Sequence, residues 1–451
     1  MHFWRLARIS YGMKKVLIIG CKKSGIAAAR LLAKRGYAPC IFDDKLATGA
    51  PMPDGAVRIT REEVHSAIND FDFAVLSPGV SAENPVVKLL QDGGVGMISE
   101  LELGAKYLKA PAVAVTGTNG KTTTVSLITS ALIAGGIRAV ACGNIGTPVS
   151  DVVDGLTERD LAVVEVSSFQ LERTTNFHPR VAVVTNVGRD HLDRHSTFKA
   201  YADLKFSIMK NLTKADLAVL NHDDEATQER ADEIKARIVW VSKKERLNNG
   251  VYLVNGEVFH TLNGAEKKVC STDGLKLKFP IENFLCALAV CLALGVKAED
   301  FISAAKAFVP EENTMTPVAE IGKVKFFNDS KGTNPDATTF AVENIDGKCV
   351  LIAGGRNKGN DFSAMARDTK AKLRAVVALG ECSMDIADAY KAAGFRDVVR
   401  VKSLAEAVRL AYEMAYPGDS VLFSPASASF DSYANYKERG RKFVDAVRQM
   451  K

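Results

Sequence analysis

The sequence lacks several features that would direct it to particular classes of protein. It has no run of about 18 apolar residues, the length that a membrane-spanning helix requires. Its 8 cysteines form no Cys-x-x-Cys pair and no cluster with histidine at zinc-ligand spacing. The net charge of +6 is too small and too scattered to indicate a nucleic-acid groove. We therefore expect a cytoplasmic protein with reduced cysteines, no membrane and no nucleic-acid partner.

The residues that are present have the composition of a large globular protein. Hydrophobic residues make up 47% of the 451 and charged residues 25%. Apolar, strand-sized runs alternate with helical stretches, which predicts an α/β fold. The length suits three domains at about 100 to 200 residues each. We predict a Rossmann-like N-terminal domain (13–109), a central P-loop ATPase-like domain with a small β insertion (110–311) and a Rossmann-like C-terminal domain (312–451). Residues 1–12 are expected to be a surplus start.

The strongest local pattern is the stretch GTNGKTTT, residues 117–124, between a short apolar strand and a helical segment. Glycines allow backbone N–H groups to approach phosphate, while Lys121 supplies a charge and Thr122 a hydroxyl for Mg²⁺. Val115 occupies the place of the first glycine of the common phosphate-loop motif, and a purely structural glycine turn is the alternative. The predicted ATP-binding residues of this loop are Gly117, Thr118, Asn119, Gly120, Lys121, Thr122 and Thr123.

Two further polar residues stand at the ends of predicted strands. Glu165 ends the strand 161–166, where a lone acid beside a phosphate loop suits a metal ligand. His191 follows the next strand, 181–185. The alternatives are an acid exposed by chance and a capping or buried structural histidine.

The N-terminal turn 20–25 is a weaker nucleotide-binding pattern, because the middle glycine of G-x-G-x-x-G is missing. A nicotinamide cofactor is therefore not favoured, although the turn could face a diphosphate. Asp43 and Asp44 end the next strand, where they could accept hydrogen bonds from a ribose or a base. A merely solvated strand end is the alternative interpretation.

The order of the motifs resembles the Mur ligase family over nearly the whole chain from Met13. The motifs that carry the resemblance are GTNGKTTT, GNIG (143–146), EVSSFQLE (165–172), DHLDRH with YADLK (190–195, 201–205), NDSKGTN (328–334) and SPASASFDSYANYKERG (424–440). Folylpolyglutamate synthetase shares the phosphate loop, but we would not expect it to carry SPASASFD. A P-loop switch protein would leave the acid, histidine and lysine elements without a purpose.

The resemblance implies an ATP-dependent ligase that makes a peptidoglycan precursor. The NDSKGTN and SPASASFD elements are most similar to the members that add D-glutamate to UDP-N-acetylmuramoyl-L-alanine. ATP would phosphorylate the carboxylate of that precursor, the amine of D-glutamate would attack the acyl phosphate, and ADP and phosphate would be released. A sibling ligase that adds another amino acid is the alternative. We expect the enzyme to be a cytoplasmic monomer.

The resemblance also assigns roles to residues. Thr122 and Glu165 would hold one Mg²⁺, and His191 with Lys205 a second, Lys205 being carbamylated because a cationic lysine would repel the metal. Together with Lys121 they are the expected catalytic residues. Asn283 and Asp329 would contact the nucleotide. The UDP-precursor would bind at Ser24, Asp43, Asp44, Gly79, Asn144, Ser167 and Gln170. D-glutamate would bind at Lys331, Thr333, Lys358, Ser429, Phe430 and Tyr436.

The sequence departs from the family pattern at two places near the nucleotide. Glu282-Asn283 stands where relatives carry a His-Asn element, and Asn313-Thr314 stands where they carry a His-Arg pair. The lost arginine would bind phosphate. We therefore expect either another cation, such as Arg356 or Lys358, to replace it, or weaker binding of ATP.

Overall fold

The computed structural model describes residues 13–46, 49–275, 277 and 279–450. The expected surplus start, residues 1–12, lies outside the described residues. The chain divides into two compact units. Within the described part, the first unit takes in the chain up to Val187, Ala202–Leu275 and Ile281–Ala307, and the second unit takes in Gly188–Tyr201, Phe308 onwards and the short stretch before Ile281.

The first unit contains two sheets. The described strands of the N-terminal sheet are all parallel and follow the order β3-β2-β1-β4-β5. They are β1 (Lys15–Ile19), β2 (Ala38–Phe42), β3 (Val57–Arg58), β4 (Phe71–Leu76) and β5 (Met97–Ser99).

The central sheet has the order β14-β13-β12-β11-β10-β9-β6-β8-β7 among the described residues. Its strands are parallel except at the β12–β13 and β13–β14 pairs. They are β6 (Ala112–Thr116), β7 (Ala139–Gly143), β8 (Leu161–Glu165), β9 (Val181–Val184), β10 (Leu217–Asn221), β11 (Arg237–Ser242), β12 (Gly250–Val254), β13 (Glu257–His260) and β14 (Lys267–Ser271). The predicted β insertion therefore extends the central sheet, because β12 pairs with β11.

The second unit contains the third sheet, whose described strands follow the order β15-β16-β20-β17-β18-β19. Only the edge pair β15–β16 is antiparallel among the described strands. They are β15 (Thr316–Ile321), β16 (Val324–Asn328), β17 (Cys349–Gly354), β18 (Leu373–Leu379), β19 (Val398–Arg400) and β20 (Ser420–Phe423).

Helices connect most of the parallel strands, as crossover connections require. In chain order the described helices are α1 (Lys23–Lys34), α2 (Arg61–Ser66), α3 (Pro85–Asp92), α4 (Glu100–Tyr107), α5 (Lys121–Ala134), α6 (Val149–Val152), α7 (Ser168–Leu171), α8 (Leu192–His195), α9 (Phe198–Phe206), α10 (Glu225–Gln228), α11 (Ile281–Ala293), α12 (Ala298–Ala307), α13 (Pro335–Glu343), α14 (Ser363–Thr369), α15 (Ser383–Ala392), α16 (Leu404–Met414) and α17 (Tyr436–Arg448). No helix among the described residues is long and apolar enough to cross a membrane.

Several strands within the sheets are buried on both faces, which explains their continuous apolar sequences. Every residue of β6, β8 and β17 is buried. The Asn-Gly pair at 255–256 predicts a hairpin turn within the β insertion. This is confirmed between β12 and β13, because both residues have positive φ, +52° and +76°, as a two-residue hairpin turn requires. The α/β class predicted from the sequence is confirmed, while the exact domain boundaries stay predictions.

Candidate active site

The phosphate loop of the first unit joins β6 to α5, as the motif predicts. Gly117 and Gly120 have φ of +151° and +83°, in the region that favours glycine. A Cβ on Gly117 would lie 2.0 Å from Thr185 Oγ1, and a Cβ on Gly120 would lie 2.0 Å from Asn283 Oδ1. Both positions therefore need glycine for the conformation and for the space. Asn283, predicted to contact ATP, lies against this loop and is 2% exposed.

Two residues to which the sequence analysis gave no role hold the loop in place. Thr185 donates its hydroxyl to the carbonyl of Asn119 (2.7 Å). Asn186 Oδ1 accepts the N–H of Asn119 (2.9 Å), and its carbonyl accepts the N–H of Thr118 (2.9 Å). The signal that could have found them is a polar pair at the carboxyl end of β9, which neighbours β6. Thr122 and Thr123 open α5 and are half-buried.

Two lysines far apart in sequence donate to the same carbonyl of this loop. Lys121 Nζ lies 2.8 Å from the carbonyl oxygen of Gly117 and 2.9 Å from that of Thr118. Lys205, on α9 and 1% exposed, donates to the Gly117 oxygen at 2.7 Å. The structure therefore brings Lys205 to the phosphate loop, with its amine beside that of Lys121. A buried lysine amine needs such polar partners.

Glu165 is the last residue of β8 and is 3% exposed. The strand pairing sets it opposite Val115, two residues before Gly117. One carboxylate oxygen, Oε1, accepts a hydrogen bond from Asn144 Nδ2 (2.7 Å). The other, Oε2, is buried without a hydrogen-bond partner among the described residues. A predicted metal ligand and a predicted precursor-binding residue are thus in contact, and one carboxylate oxygen is left for a cation.

Ser167 and Gln170, both predicted to contact the precursor, form the capping box that opens α7. Ser167 Oγ lies 3.1 Å from Gln170 Oε1 and 3.4 Å from the N–H of Gln170. The backbone N–H of Ser167 also donates to Gln170 Oε1, at 3.0 Å. Gln170 is 1% exposed, and its side-chain oxygen Oε1 is already used to cap the start of α7.

The carboxyl ends of the N-terminal sheet gather the residues predicted for the uridine diphosphate. Asp43 Oδ2 accepts the N–H of Cys21 (2.7 Å), which fixes the turn after β1. The Ser77 hydroxyl donates to the carbonyl of Gly20 (3.3 Å), and Gly79 follows two residues later with open space at its Cα. This is the crevice at the strand ends where open α/β sheets bind ligands.

Asp44 and Ser24 complete the predicted set at this sheet. Asp44 binds Arg61 (2.7 Å) and accepts from Asn84 Nδ2 (3.1 Å). Ser24 lies in the first turn of α1. The carboxylate of Asp44 is therefore engaged with protein groups, whereas the turn around Gly20 presents its backbone at a helix start.

In the second unit, Asp190 connects the histidine turn with the turn after β17. Asp190 Oδ1 lies 2.6 Å from Lys358 Nζ, and both side chains are 7% exposed. The same oxygen accepts the N–H of His191 (2.9 Å), and Oδ2 lies 3.7 Å from His191 Nε2. His191 has φ of +54°, which is uncommon for a residue with a Cβ. Asp190 was not predicted as a site residue.

Lys331, predicted to bind D-glutamate, shares an acid with a second lysine. Its Nζ lies 2.8 Å from Glu311 Oε2, and Lys437 Nζ lies 3.3 Å from Glu311 Oε1. Partial burial raises the pKa of Glu311, but the two lysines outweigh it and lower the pKa overall. Thr333 is half-buried two residues beyond Lys331.

Asp329 is 5% exposed and is engaged on both carboxylate oxygens. Oδ1 accepts the N–H of Met315 (3.1 Å), and Oδ2 accepts the Ser424 hydroxyl (2.7 Å). Burial raises the pKa of Asp329 to about 7, against the lowering effect of these hydrogen bonds. These contacts join the NDSKGTN and SPASASFD segments, and the contact of Asp329 with the nucleotide stays a prediction.

Arg439 holds the same two segments together, and the sequence analysis did not select it. It donates to the carbonyls of Ser330 and Ser427, each at 3.0 Å, and is 2% exposed. Burial lowers the pKa of its guanidinium to about 10. The Ser330 hydroxyl donates to the carbonyl of Tyr436 (2.9 Å). The predicted amino-acid residues nearby differ in exposure: Ser429 is 2% exposed and Phe430 63%.

Asn313, which stands where relatives carry the histidine of a His-Arg pair, has a structural role. Its φ is +68°, its Oδ1 accepts from Asn328 Nδ2 (2.9 Å), and its carbonyl accepts the N–H of Lys331 (3.0 Å). Lys358 pairs with Asp190, whereas Arg356 is exposed and lies 3.7 Å from Glu381. Neither cation has a contact with Asn313 or Thr314 among the contacts described for this unit.

Comparison with known proteins agrees with these motifs. Residues 115–291 match the Mur ligase middle domain, and residues 315–427 match the Mur ligase glutamate ligase domain. A protein of Pelotomaculum thermopropionicum named UDP-N-acetylmuramoylalanine–D-glutamate ligase is 39% identical over 450 residues, 97% of this chain and 98% of the relative. The chain belongs to the Mur ligase family. A relative of the same name from Thermoanaerobacter pseudethanolicus is 36% identical to this Mur ligase, covering 97% of it and 99% of the relative.

A solved structure agrees on the fold. The UDP-N-acetylmuramate–alanine ligase of Thermotoga maritima superposes with a TM-score of 0.60 at 20% identity, covering 97% of this Mur ligase and all of that chain. At this identity the match speaks for the three-domain Mur ligase fold alone. Family membership makes the chain an ATP-using ligase that acts on small molecules.

Proposed function

We propose that this Mur ligase joins D-glutamate to the carboxylate of UDP-N-acetylmuramoyl-L-alanine during synthesis of the peptidoglycan precursor. A carboxylate oxygen attacks the γ-phosphorus of ATP, ADP leaves, and an acyl phosphate forms. The amine of D-glutamate then attacks the acyl carbon, a proton is lost, and phosphate leaves as the amide forms. Activation comes first because a free carboxylate is a poor acyl donor. The names of the relatives support D-glutamate over another amino acid.

The observation that carries the proposal is the convergence of Lys121 and Lys205 on the carbonyl of Gly117. Phosphoryl transfer depends on positioning and on positive charge around the moving group. Lys121 supplies that charge directly, and Thr122, in the first turn of α5, supplies the hydroxyl proposed for Mg²⁺.

The donor set beside the loop fits a magnesium ion. Glu165 is buried and keeps one carboxylate oxygen without a protein partner, and oxygen donors are what Mg²⁺ prefers. By resemblance, Thr122 and Glu165 hold one ion, and His191 with Lys205 serves a second. Magnesium, when bound, neutralises charge on the phosphate oxygens. Glu165 and Asn144 in turn orient one another through their hydrogen bond.

Carbamylation of Lys205 is part of the proposal. A cationic amine repels a metal, whereas reaction of the neutral amine with CO₂ yields an anionic carbamate and one proton. The burial of Lys205 at 1% exposure protects such an adduct from bulk water. Bicarbonate should therefore restore activity lost on exhaustive removal of CO₂, and Lys205→Ala should not respond to it. Full activity of Lys205→Ala would remove this element of the proposal.

The N-terminal and C-terminal domains have separate substrate-binding roles in this proposal. The N-terminal domain (13–109) takes the uridine diphosphate at the turn near Gly20, and Asn144 and Ser167 approach the muramoyl part. The C-terminal domain (312–451) takes D-glutamate, whose two carboxylates need cations such as Lys331 and Lys358 and hydroxyl donors. The remaining members of this set are Thr333, Ser429, Phe430 and Tyr436.

The proposed compartment and assembly state rest on chemical arguments rather than on geometry. All 8 cysteines are free thiols, which supports a reducing cytoplasm. We propose a monomer, because every assigned role falls within one chain. Because Asn313-Thr314 lacks the usual arginine, either another cation, such as Arg356 or Lys358, replaces it or ATP binds more weakly, and the Michaelis constant for ATP would decide between the two.

The decisive assay offers radiolabelled D-glutamate with UDP-N-acetylmuramoyl-L-alanine and Mg-ATP. The proposal expects label in the UDP-linked product, and phosphate release that needs both substrates together. Label from L-alanine or another amino acid in place of D-glutamate would favour the sibling ligase. Phosphate release from ATP alone would favour a nucleotide-switch protein.

A further inference from the structure

The turn after β17 buries a side chain that finds no partner in the protein. Asn360 is 7% exposed, and its Nδ2 and Oδ1 are both buried without a hydrogen-bond partner among the described residues. Its backbone is satisfied, because its N–H donates to Asn357 Oδ1 (2.8 Å) and its carbonyl accepts from Asn357 Nδ2 (3.2 Å). The unmet hydrogen bonding is therefore confined to the carboxamide. Almost all buried polar groups in native proteins are bonded, so this amide calls for a ligand.

The amide shares its turn with a buried cation. Lys358 is 6% exposed and is held by Asp190 at 2.6 Å. Gly359, between the two, has φ of +83°, a backbone conformation that favours glycine. The ammonium group of Lys358 and the carboxamide of Asn360 are therefore both buried, although they are only two residues apart in the same turn. A ligand that reaches Lys358 comes to the same turn as Asn360.

The chemistry of the two groups defines the ligand. An asparagine amide offers two N–H donors and one carbonyl acceptor, and a lysine ammonium offers only donors. A carboxylate accepts from both, and the amine of the same molecule donates to the carbonyl. An amino acid combines these groups, whereas a phosphate has no N–H to give.

We propose that Asn360 is a further binding residue for the amino-acid substrate, donating Nδ2–H to the carboxylate that pairs with Lys358. This rests on the proposed function and names a residue that the motif comparison did not assign. The amide is kept unpaired in the protein so that the substrate satisfies it. A site built in this way rejects molecules that lack the matching group, because the amide is then left buried and unpaired.

Asn357 provides a matched control three residues earlier. Its carboxamide closes the turn by two hydrogen bonds to the backbone of Asn360, so it has a structural role. Asn357→Ala should lower the melting temperature. Asn360→Ala removes an amide that contributes no bond within the protein, so its melting temperature should equal or exceed that of the wild type.

The test measures steady-state kinetics and thermal unfolding of the full chain with Asn360→Ala, Asn360→Asp and Asn357→Ala. For Asn360→Ala we expect the KM for D-glutamate to rise about 10- to 100-fold, the cost of one lost bond to a charged group. kcat and the KM values for ATP and the precursor should change less than about threefold. Asn360→Asp should raise the KM for D-glutamate further, because two carboxylates would then repel each other.

The outcomes separate this inference from the proposed function. If wild type incorporates D-glutamate and Asn360→Ala has the wild-type KM, the inference fails and the function stands. A lower melting temperature or loss of folding in Asn360→Ala would show the amide to be structural, which also overturns the inference. If wild type does not use D-glutamate at all, the proposed function itself is wrong.

Discussion

The phosphate loop of the first unit and the charged turns of the second unit are stabilised in different ways. The loop is fixed by its backbone: Thr185 and Asn186 bond its carbonyls and N–H groups, and two glycines leave no space for a Cβ. The turns are fixed by side-chain charge, with Asp190 and Lys358 forming a buried pair. A site that is held by its own backbone can be recognised from a local sequence motif. A site that is held by ion pairs depends on residues that are far apart in the chain.

The largest effect is expected from the charge that faces the phosphates. Lys121→Ala should lower kcat/KM for product formation about 10³-fold or more, because phosphoryl transfer loses a cation. Precursor binding should persist, since Lys121 is not among the residues assigned to it. Coupled phosphate-release kinetics measure the loss, and calorimetry measures precursor binding. Lys214→Ala, at an exposed lysine of the same unit, is the control and should behave as wild type.

Removing the acid of the buried pair tests the second unit. Asp190→Ala leaves Lys358 buried without its counter-ion and should lower the free energy of unfolding by about 3–5 kcal/mol. Chemical denaturation measures it, with Asp193→Ala as an exposed control. Glu311→Gln breaks pairs whose side chains are 27–60% exposed and should cost about 1 kcal/mol or less. Equal losses in the free energy of unfolding for Asp190→Ala and Glu311→Gln would contradict the view that burial makes the Asp190–Lys358 pair more important for stability.

A glycine comparison tests the steric account of the phosphate loop. Gly120→Ala meets a positive φ and a contact of 2.0 Å with Asn283, so we expect a loss of about 3 kcal/mol and weaker ATP binding. Gly136→Ala has a similar φ of +80° and nothing within 4 Å of the new Cβ. Gly136→Ala should lower the free energy of unfolding by about 1–2 kcal/mol, because only the unfavourable backbone conformation acts against it. A smaller loss for Gly120→Ala than for Gly136→Ala would refute the packing argument.

A buried acid away from the loop provides a test that depends on pH. Glu100 is 1% exposed, and burial raises its pKa from 4.5 to about 7. The folded protein therefore holds the proton of Glu100 more tightly than the unfolded chain does. The stabilisation that this proton gives the folded protein is complete below about pH 4.5 and is lost as the pH rises through about 7. Glu100→Gln keeps an acceptor for the N–H of Ser150 and should gain about 2 kcal/mol at pH 8. The free energies of unfolding of wild type and Glu100→Gln, measured at several pH values, should become equal at about pH 4. A difference between them that does not change with pH would contradict the raised pKa of Glu100.

The same contrast explains what the sequence could predict. The P-loop, the strand end at Glu165 and the turn at Asn255-Gly256 are local, since periodicity, glycines and strand ends identify them. The sequence predicts that the helix after the loop begins at Thr122, and in the structure it begins one residue earlier, at Lys121, which is the ordinary uncertainty of helix ends. The link of Asp190 to Lys358 and the sharing of Glu311 by two lysines could not be predicted. They arise only when the chain brings distant loops together.

Arg439 and the clamp at Thr185-Asn186 were missed for a related reason. An arginine on a helix such as α17 is usually solvent-exposed, and its burial depends on the carbonyls of Ser330 and Ser427 that receive it. Polar residues after β9 carried no motif of their own. Their position beside β6 gives them their role, and strand order is not visible in a single sequence.

The central claim is that the precursor carboxylate is activated by phosphoryl transfer before the amine attacks. It is tested most directly with oxygen-18 in the terminal carboxylate of UDP-N-acetylmuramoyl-L-alanine. Under this account, one labelled oxygen is transferred to the released phosphate and the other stays in the amide carbonyl. Phosphate without label, formed alongside D-glutamate product, would contradict the account.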